Sequence, residues 1–386
     1  MKIKAFTSFF IVSIIFALTY VFTNTTAFAD SLSENVSDQL QNLDLSKLET
    51  FIVSLDSGQG FSIKDIVSSM VRGEYNSDYS SFGNYIVDII SINVKELLPS
   101  LFVIVAISVF CAIIQNAKSS FVSEGVTSII FFISFLTVIL VISPSVIQIF
   151  ENIKNSIKNI ANLNEIMSPI ILTLMVASGG NTSVSLYKPT VQLFSNAVIN
   201  VMLIAVIPLI SLSLIFGIIS LLNSNIKLNK FSDFFNGLIK WIIGITISCY
   251  GIFVSINGIS SAIHDGISVK AAKYAISNSI PLIGGFLKDG FDLFVAGSIL
   301  IKNAVGVASV IVLIYYVMSP ILHVVVYSLL LKLVAAVTQT ISDSKISDLC
   351  SLISKSLTYV NVALILTGFM MFITILLMIF SASAFI

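Results

Sequence analysis

Charge is what this chain has least of. Acidic and basic residues make up 10% of its 386 residues, 20 of each sign, for a net charge of zero. Typical soluble domains carry about 25%. With 56% hydrophobic residues and a mean hydropathy of +1.02, the composition excludes an ordinary soluble protein and points to a bilayer. Zero net charge supplies no field for nucleic acid or for an acidic substrate. Arg72 is the sole arginine, so planar forks for gripping phosphates are missing.

The residues of enzymatic chemistry are equally sparse. The two histidines, His264 and His323, stand far apart, and neither sits in an H-E-x-x-H motif. There is no G-x-S-x-G elbow and no phosphate-loop lysine motif. His264-Asp265-Gly266 reads as a turn in a connecting segment rather than a catalytic pair. The sequence therefore predicts no enzyme, no catalytic residue, no metal site and no cofactor. Cysteine is limited to Cys111, Cys249 and Cys350, so residues 30–96 have no disulfide. Cys111 and Cys249 fall in apolar spans and act as small hydrophobes.

What is present begins with a leader. Met1-Lys2-Ile3-Lys4 is a positive start, residues 5–22 are apolar, and Ala27-Phe28-Ala29 is a small-x-small cleavage site. Residues 1–29 are thus predicted to be a signal peptide, with Asp30 the mature start; the alternative is an uncleaved first membrane helix. Either way residues 30–96 lie outside the cytoplasm. They read as a small helical domain. Ser46-Lys47-Leu48-Glu49 has capping-box form, and Ser62 to Asp65 repeats the pattern before a second helix. A third helix runs from Tyr79 and feeds the first span. So short a piece has a thin core and is expected to dock on the membrane body or on a partner.

The rest is predicted to be an all-α, polytopic membrane body. Spans are expected at 97–114 and 126–146, followed at 147–166 by an amphipathic helix along the interface; together these form a unit over 97–166. Residues 167–177 are too short to cross and end in Ser178-Gly179-Gly180-Asn181, which suggests a re-entrant or broken helix. Segments 190–222 and 303–337 are over-long and hold central prolines, Pro208 and Pro320. Clean spans follow each, at 241–259 and 359–380.

A duplication shows in this order. Each over-long segment is preceded by a proline and Gly-Gly break. Each is followed by Lys-x-Ser-Asp with a second lysine ten residues on: Lys230 to Lys240, and Lys345 to Lys355. The repeat halves are 167–259 and 260–386. Three crossings per half would invert them and two would make them parallel; lysine counts in the loops favour inversion.

Polar residues at membrane depth are candidate functional groups. Asn196 and Asn200 share a helical face, Lys302 and Asn303 open the second long segment, and His323 follows Pro320. They read either as a polar path at the repeat interface or as helix–helix glue, a snorkelling lysine and a packing histidine. Gly179, Gly180, Gly284 and Gly285 read either as hinge or pore-lining breaks or as packing points.

The chain resembles the stage III sporulation protein AE family of endospore formers over most of its length. The resemblance rests on Leu174-Met175-Val176-Ala177-Ser178-Gly179-Gly180, on the run from His264 to Lys273, and on Ile280-Pro281-Leu282-Ile283-Gly284-Gly285 through Lys302-Asn303-Ala304-Val305-Gly306. It implies a multi-pass protein of the mother-cell membrane facing the engulfed forespore. The implied partners are other membrane and ring-forming subunits of a channel or secretion-like complex needed for late forespore gene expression. Energy would come from a separate ATPase. The resemblance carries no catalytic residues. The alternative role is a non-conducting platform that recruits the other subunits.

Overall fold

The computed structural model describes residues 45–54, 63–72, 79–117, 124–222, 228–279, 284–341 and 344–381. The leader with its cleavage site, and Pro281 with its neighbours, lie outside the described residues. Every described element is helical. Two short helices, α1 (Ser46–Ser54) and α2 (Ile63–Val71), lie where the sequence predicts them, and Leu45 accepts the first hydrogen bonds of α1. The long helices are α3 (Tyr79–Ala117), α4 (Glu124–Ala177), α5 (Asn181–Asn200), α6 (Ile207–Leu222), α7 (Asn229–Ser279), α8 (Gly284–Ile341) and α9 (Ser344–Phe380). A π-helical stretch, Val201–Val206, joins α5 to α6 without a break. Among the described residues, six segments are long and apolar enough to cross a membrane. This is an all-α, multi-pass membrane protein.

Several expected breaks are absent. Residues 147–166 continue α4, and they turn Ile149, Ile153, Ile157 and Ile160 into the bundle. Glu151, Asn155, Lys158 and Glu165 stay outside. The amphipathic pattern thus has a protein partner for its apolar side. Residues 167–177 are the last turns of the same helix, not a separate re-entrant piece. His264-Asp265-Gly266 lies within α7 rather than at a turn. In the over-long segment with Pro208, the π-helical stretch lies just before the proline. A proline ring clashes with the carbonyl four residues back. The wider turn relieves this, and the Ile207 N–H donates to Met202, five residues back.

Side-chain pairs fix the direction of each helix. Tyr85 donates to the Tyr315 carbonyl, and Glu96 lies near His323, so α3 runs parallel to α8. Tyr327 lies near Ser145, Asn159 donates to Tyr316 at 2.8 Å, and Ser309 meets Met167, so α4 runs against α8. Ser328 pairs with Ser354, and Ser347 donates to Ala335, so α9 also runs against α8. Leu352 of α9 packs on Gly217 of α6, and Ser195, Val198 and Ile199 of α5 lie beside Thr367 and Met370 of α9. The α5–α6 rod therefore descends as α8 does, and α7 ascends as α9 does.

The chain thus reverses three times at one end: after Ala117, after Leu222 and after Ile341. The α6–α7 and α8–α9 hairpins have the same sense. This corrects the inverted relation favoured by lysine counts, because each hairpin holds an even number of long helices. The hairpins also share a device. Ser232 donates to the Ser213 carbonyl at 3.0 Å, and Ser347 donates to the Ala335 carbonyl at 2.8 Å. Both are the serine of Lys-x-Ser-Asp.

At the centre stands α9. No residue from 356 to 379 is exposed. A helix apolar all round is stable only if enclosed, and α4, α5, α6, α7 and α8 enclose it. The short helices bury Leu48, Ile52, Ile63 and Val67 in the same core. α1 packs on α4 and α2 on α8.

Candidate functional site

Gly179 is the one described glycine with positive φ, at 88°. Helix α4 ends there in a Schellman turn: the Gly180 N–H donates to Met175 at 2.8 Å and the Gly179 N–H to Val176 at 2.9 Å. Gly180 has φ −81° and begins α5 as its N-cap. The first pair is therefore a tight helix-to-helix corner that requires the left-handed conformation only at its first position. Gly284 and Gly285 are the first two residues of α8.

Asn196 and Asn200 do not point into the bundle. Asn196 is half-buried and Asn200 exposed, on the outer side of α5. Ser195, beside them, takes the inward position instead. It lines a cavity with Ile160, Asn164, Tyr250, Thr367 and Thr374. The cavity offers about 20 Å³ to water, room for one molecule. Tyr250 bridges α7 to α9 there, donating to the Met370 carbonyl at 2.5 Å with Thr374 at 2.9 Å. Phe194 stacks on Phe253 with centroids 4.4 Å apart.

Lys302 is the largest charged group inside. It is fully buried and donates to the Ser381 carbonyl, at the end of α9. A helix C-terminus presents free carbonyls and partial negative charge, which an ammonium satisfies. Asn303, next to it, is half-buried. His323 is half-buried between α8 and α3, beside Glu96. At 1.5 Å per residue, about 32 Å of α8 separates Lys302 from His323. The polar candidates thus occupy three separate places: the outer side of α5, the end of α9 and the α3–α8 contact.

Sequence reasoning missed the interhelical contacts of Asn159, Tyr250, Tyr316 and the paired serines. Single hydroxyls in apolar stretches give no signal until the facing helix is known. Among the described residues, no three of His, Cys, Asp and Glu gather to hold a metal.

Comparison with known proteins agrees with the architecture. The family model for stage III sporulation protein AE matches residues 61–382. A protein of Bacillus subtilis (strain 168), "Stage III sporulation protein AE", is 25% identical over 272 residues, covering 70% of this chain and 68% of its own. No solved structure matches. A match over most of the membrane body, on a bundle of six apolar long helices, places this chain in the stage III sporulation protein AE family.

Proposed function

We propose that this protein is the multi-pass membrane component of a sporulation complex that links mother cell and forespore, and that a single chain serves it as a platform. Family membership supports the process. One observation supports the platform: the centre of the bundle is filled. From residue 356 to 379 no residue of α9 is exposed, and the cavity beside it, lined in part by Asn164, Ser195, Tyr250, Thr367 and Thr374, has room for a single water, where a conducting chain would need a continuous polar lumen. The complex sits in the mother-cell membrane, with residues 30–96 outside the cytoplasm. It recruits the ring-forming and other membrane subunits, and a separate ATPase supplies energy.

The two hairpins with matched serine bonds support an internal duplication, parallel in sense. The glycine corner at 179–180 is its first break.

The test is solute flux and conductance in liposomes holding the purified chain alone, beside a late forespore reporter in cells lacking the gene. The platform reading expects no flux above empty liposomes and loss of the reporter. Flux by the lone chain would overturn it in favour of a transport subunit.

A further inference from the structure

Gln192, Asn196 and Asn200 recur every four residues and form one stripe of α5. Gln192 and Asn200 are exposed and Asn196 is half-buried, within a segment apolar enough to cross the membrane. The inward positions go to Val191, Ser195, Val198 and Ile199. The last three line the cavity, opposite Asn164, Tyr250, Thr367 and Thr374. The polar side chains of that wall thus meet two apolar residues and one serine, while the amides stand one residue away, outside.

The π-helical stretch Val201–Val206 sets this register. Before it the helix is α: the Val201 N–H donates to Ala197, four residues back. A π turn takes up one residue more than an α turn. Relative to α6, each residue of α5 is therefore displaced by one position, a rotation of about 100° and a rise of about 1.5 Å. With the stretch α-helical and α6 held, each residue from 190 to 200 would take the place its predecessor now has.

In the cavity wall Asn196 would then replace Ser195, Ile199 would replace Val198, and Asn200 would replace Ile199. Gln192 would replace the buried Val191. The exposed positions now held by Gln192, Leu193, Ala197 and Asn200 would hold Leu193, Phe194, Val198 and Val201, all apolar. The cavity gives the larger Asn196 room, and Ser195 in the place of Phe194 frees more. What is lost is the stack of Phe194 on Phe253.

Two prolines balance the exchange. A proline inside an α-helix removes a hydrogen bond, and its ring presses on the carbonyl four residues back. Pro208 follows the π stretch, which relieves it. Pro189 lies in the interior of α5, in regular α-helix, without that relief. A π stretch moved to the turn before Pro189 relieves that proline and loads Pro208 instead. Only the residues between the two prolines turn, and the corner at Gly179 stays in place.

We propose that α5 is a two-register switch: the π stretch moves between Pro208 and Pro189, and residues 190–200 turn by one position, carrying Gln192, Asn196 and Asn200 into the bundle. The present register suits water or a polar neighbour around α5, and the shifted one suits lipid, so the surroundings of this helix select between them. The switch goes beyond the platform reading and does not depend on it.

Cysteine pairs read the register. The full-length chain, with Cys111, Cys249 and Cys350 replaced by alanine, is held in lipid nanodiscs and oxidised. Ser195→Cys with Thr367→Cys reports the present register, and Asn196→Cys with Thr367→Cys the shifted one; mass spectrometry measures the bonded fraction of each. Pro208→Ala should raise the Asn196 product relative to the Ser195 product at least about tenfold, and Pro189→Ala should lower that ratio as much. A misfolded chain loses both products, whereas the switch trades one for the other. If Pro208→Ala loses both, Pro189→Ala decides: a fall in the Asn196 product supports the switch, and no fall overturns it. A ratio equal in the parent and both variants, or moved the same way by both prolines, makes the π stretch a fixed adjustment and overturns the proposal.

Discussion

Replacing Gly179 tests whether the α4–α5 corner is a backbone requirement. Its φ of 88° lies where a Cβ meets the following carbonyl. An L residue there costs about 1–2 kcal/mol, and a β-branched one more. Two hydrogen bonds, from Gly179 to Val176 and from Gly180 to Met175, hold the turn and cannot form with φ negative. Gly180 is the internal control, since its φ of −81° suits any residue. We expect Gly179→Val to lower stability by about 2–3 kcal/mol, Gly179→Asn by under about 1, because asparagine enters this region readily, and Gly180→Ala by under about 1. At 1.4 kcal/mol per factor of ten, the valine variant would shift the folded-to-unfolded ratio about thirtyfold or more. The assay is thermal and denaturant unfolding in one detergent, with spore counts at equal protein level. If Gly179→Val and Gly180→Ala lose the same stability, the left-handed corner does not govern this turn.

The end of α9 should depend on Lys302: Lys302→Met removes a charged hydrogen bond to the Ser381 carbonyl, worth about 1.5–3 kcal/mol, and should speed proteolysis near the C-terminus. Lys302→Arg should fail to rescue, as the site is fully buried and a guanidinium is larger. A Cβ on Gly306 would run into the Ile379 side chain, so Gly306→Ala should destabilise by about 1–3 kcal/mol, and Ile379→Val in the same chain should recover part of it. Asn196→Leu should leave spore counts within about twofold of the parent, since the amide is half-exposed on the outer side of α5 and such bonds average about 0.6 kcal/mol. A severe sporulation defect there would favour a polar path along α5.

How much was readable in advance follows from what each signal depends on. The two short helices and the apolar spans rest on local pattern, and they appear where the pattern puts them. Gly-Gly at 179–180 marked a break, and the break is there. Residues 147–166 carried a true amphipathic pattern, but the pattern cannot say whether lipid or protein meets its apolar face. The packing of α4 against α8 and α9 decides that. His264-Asp265-Gly266 looks like a turn by composition, yet it stays helical. Sense was the hardest to read. Lysine counts separate the two sides weakly when so few charges exist, and only contacts such as Gly217 with Leu352 fix direction. The candidate polar residues were picked one at a time, so nothing in their spacing revealed that Lys302 serves a helix end and His323 a helix contact.

The parallel sense of the hairpins requires the three reversals to lie on one side of the membrane. Single cysteines at Ser120, Ser224 and Ser342 in a cysteine-free chain, treated with a membrane-impermeant maleimide in sealed vesicles of one orientation, test it most directly. The three are expected to label together or to be protected together, and Asn181→Cys to behave oppositely. One reversal reacting from the other side would contradict the parallel hairpins.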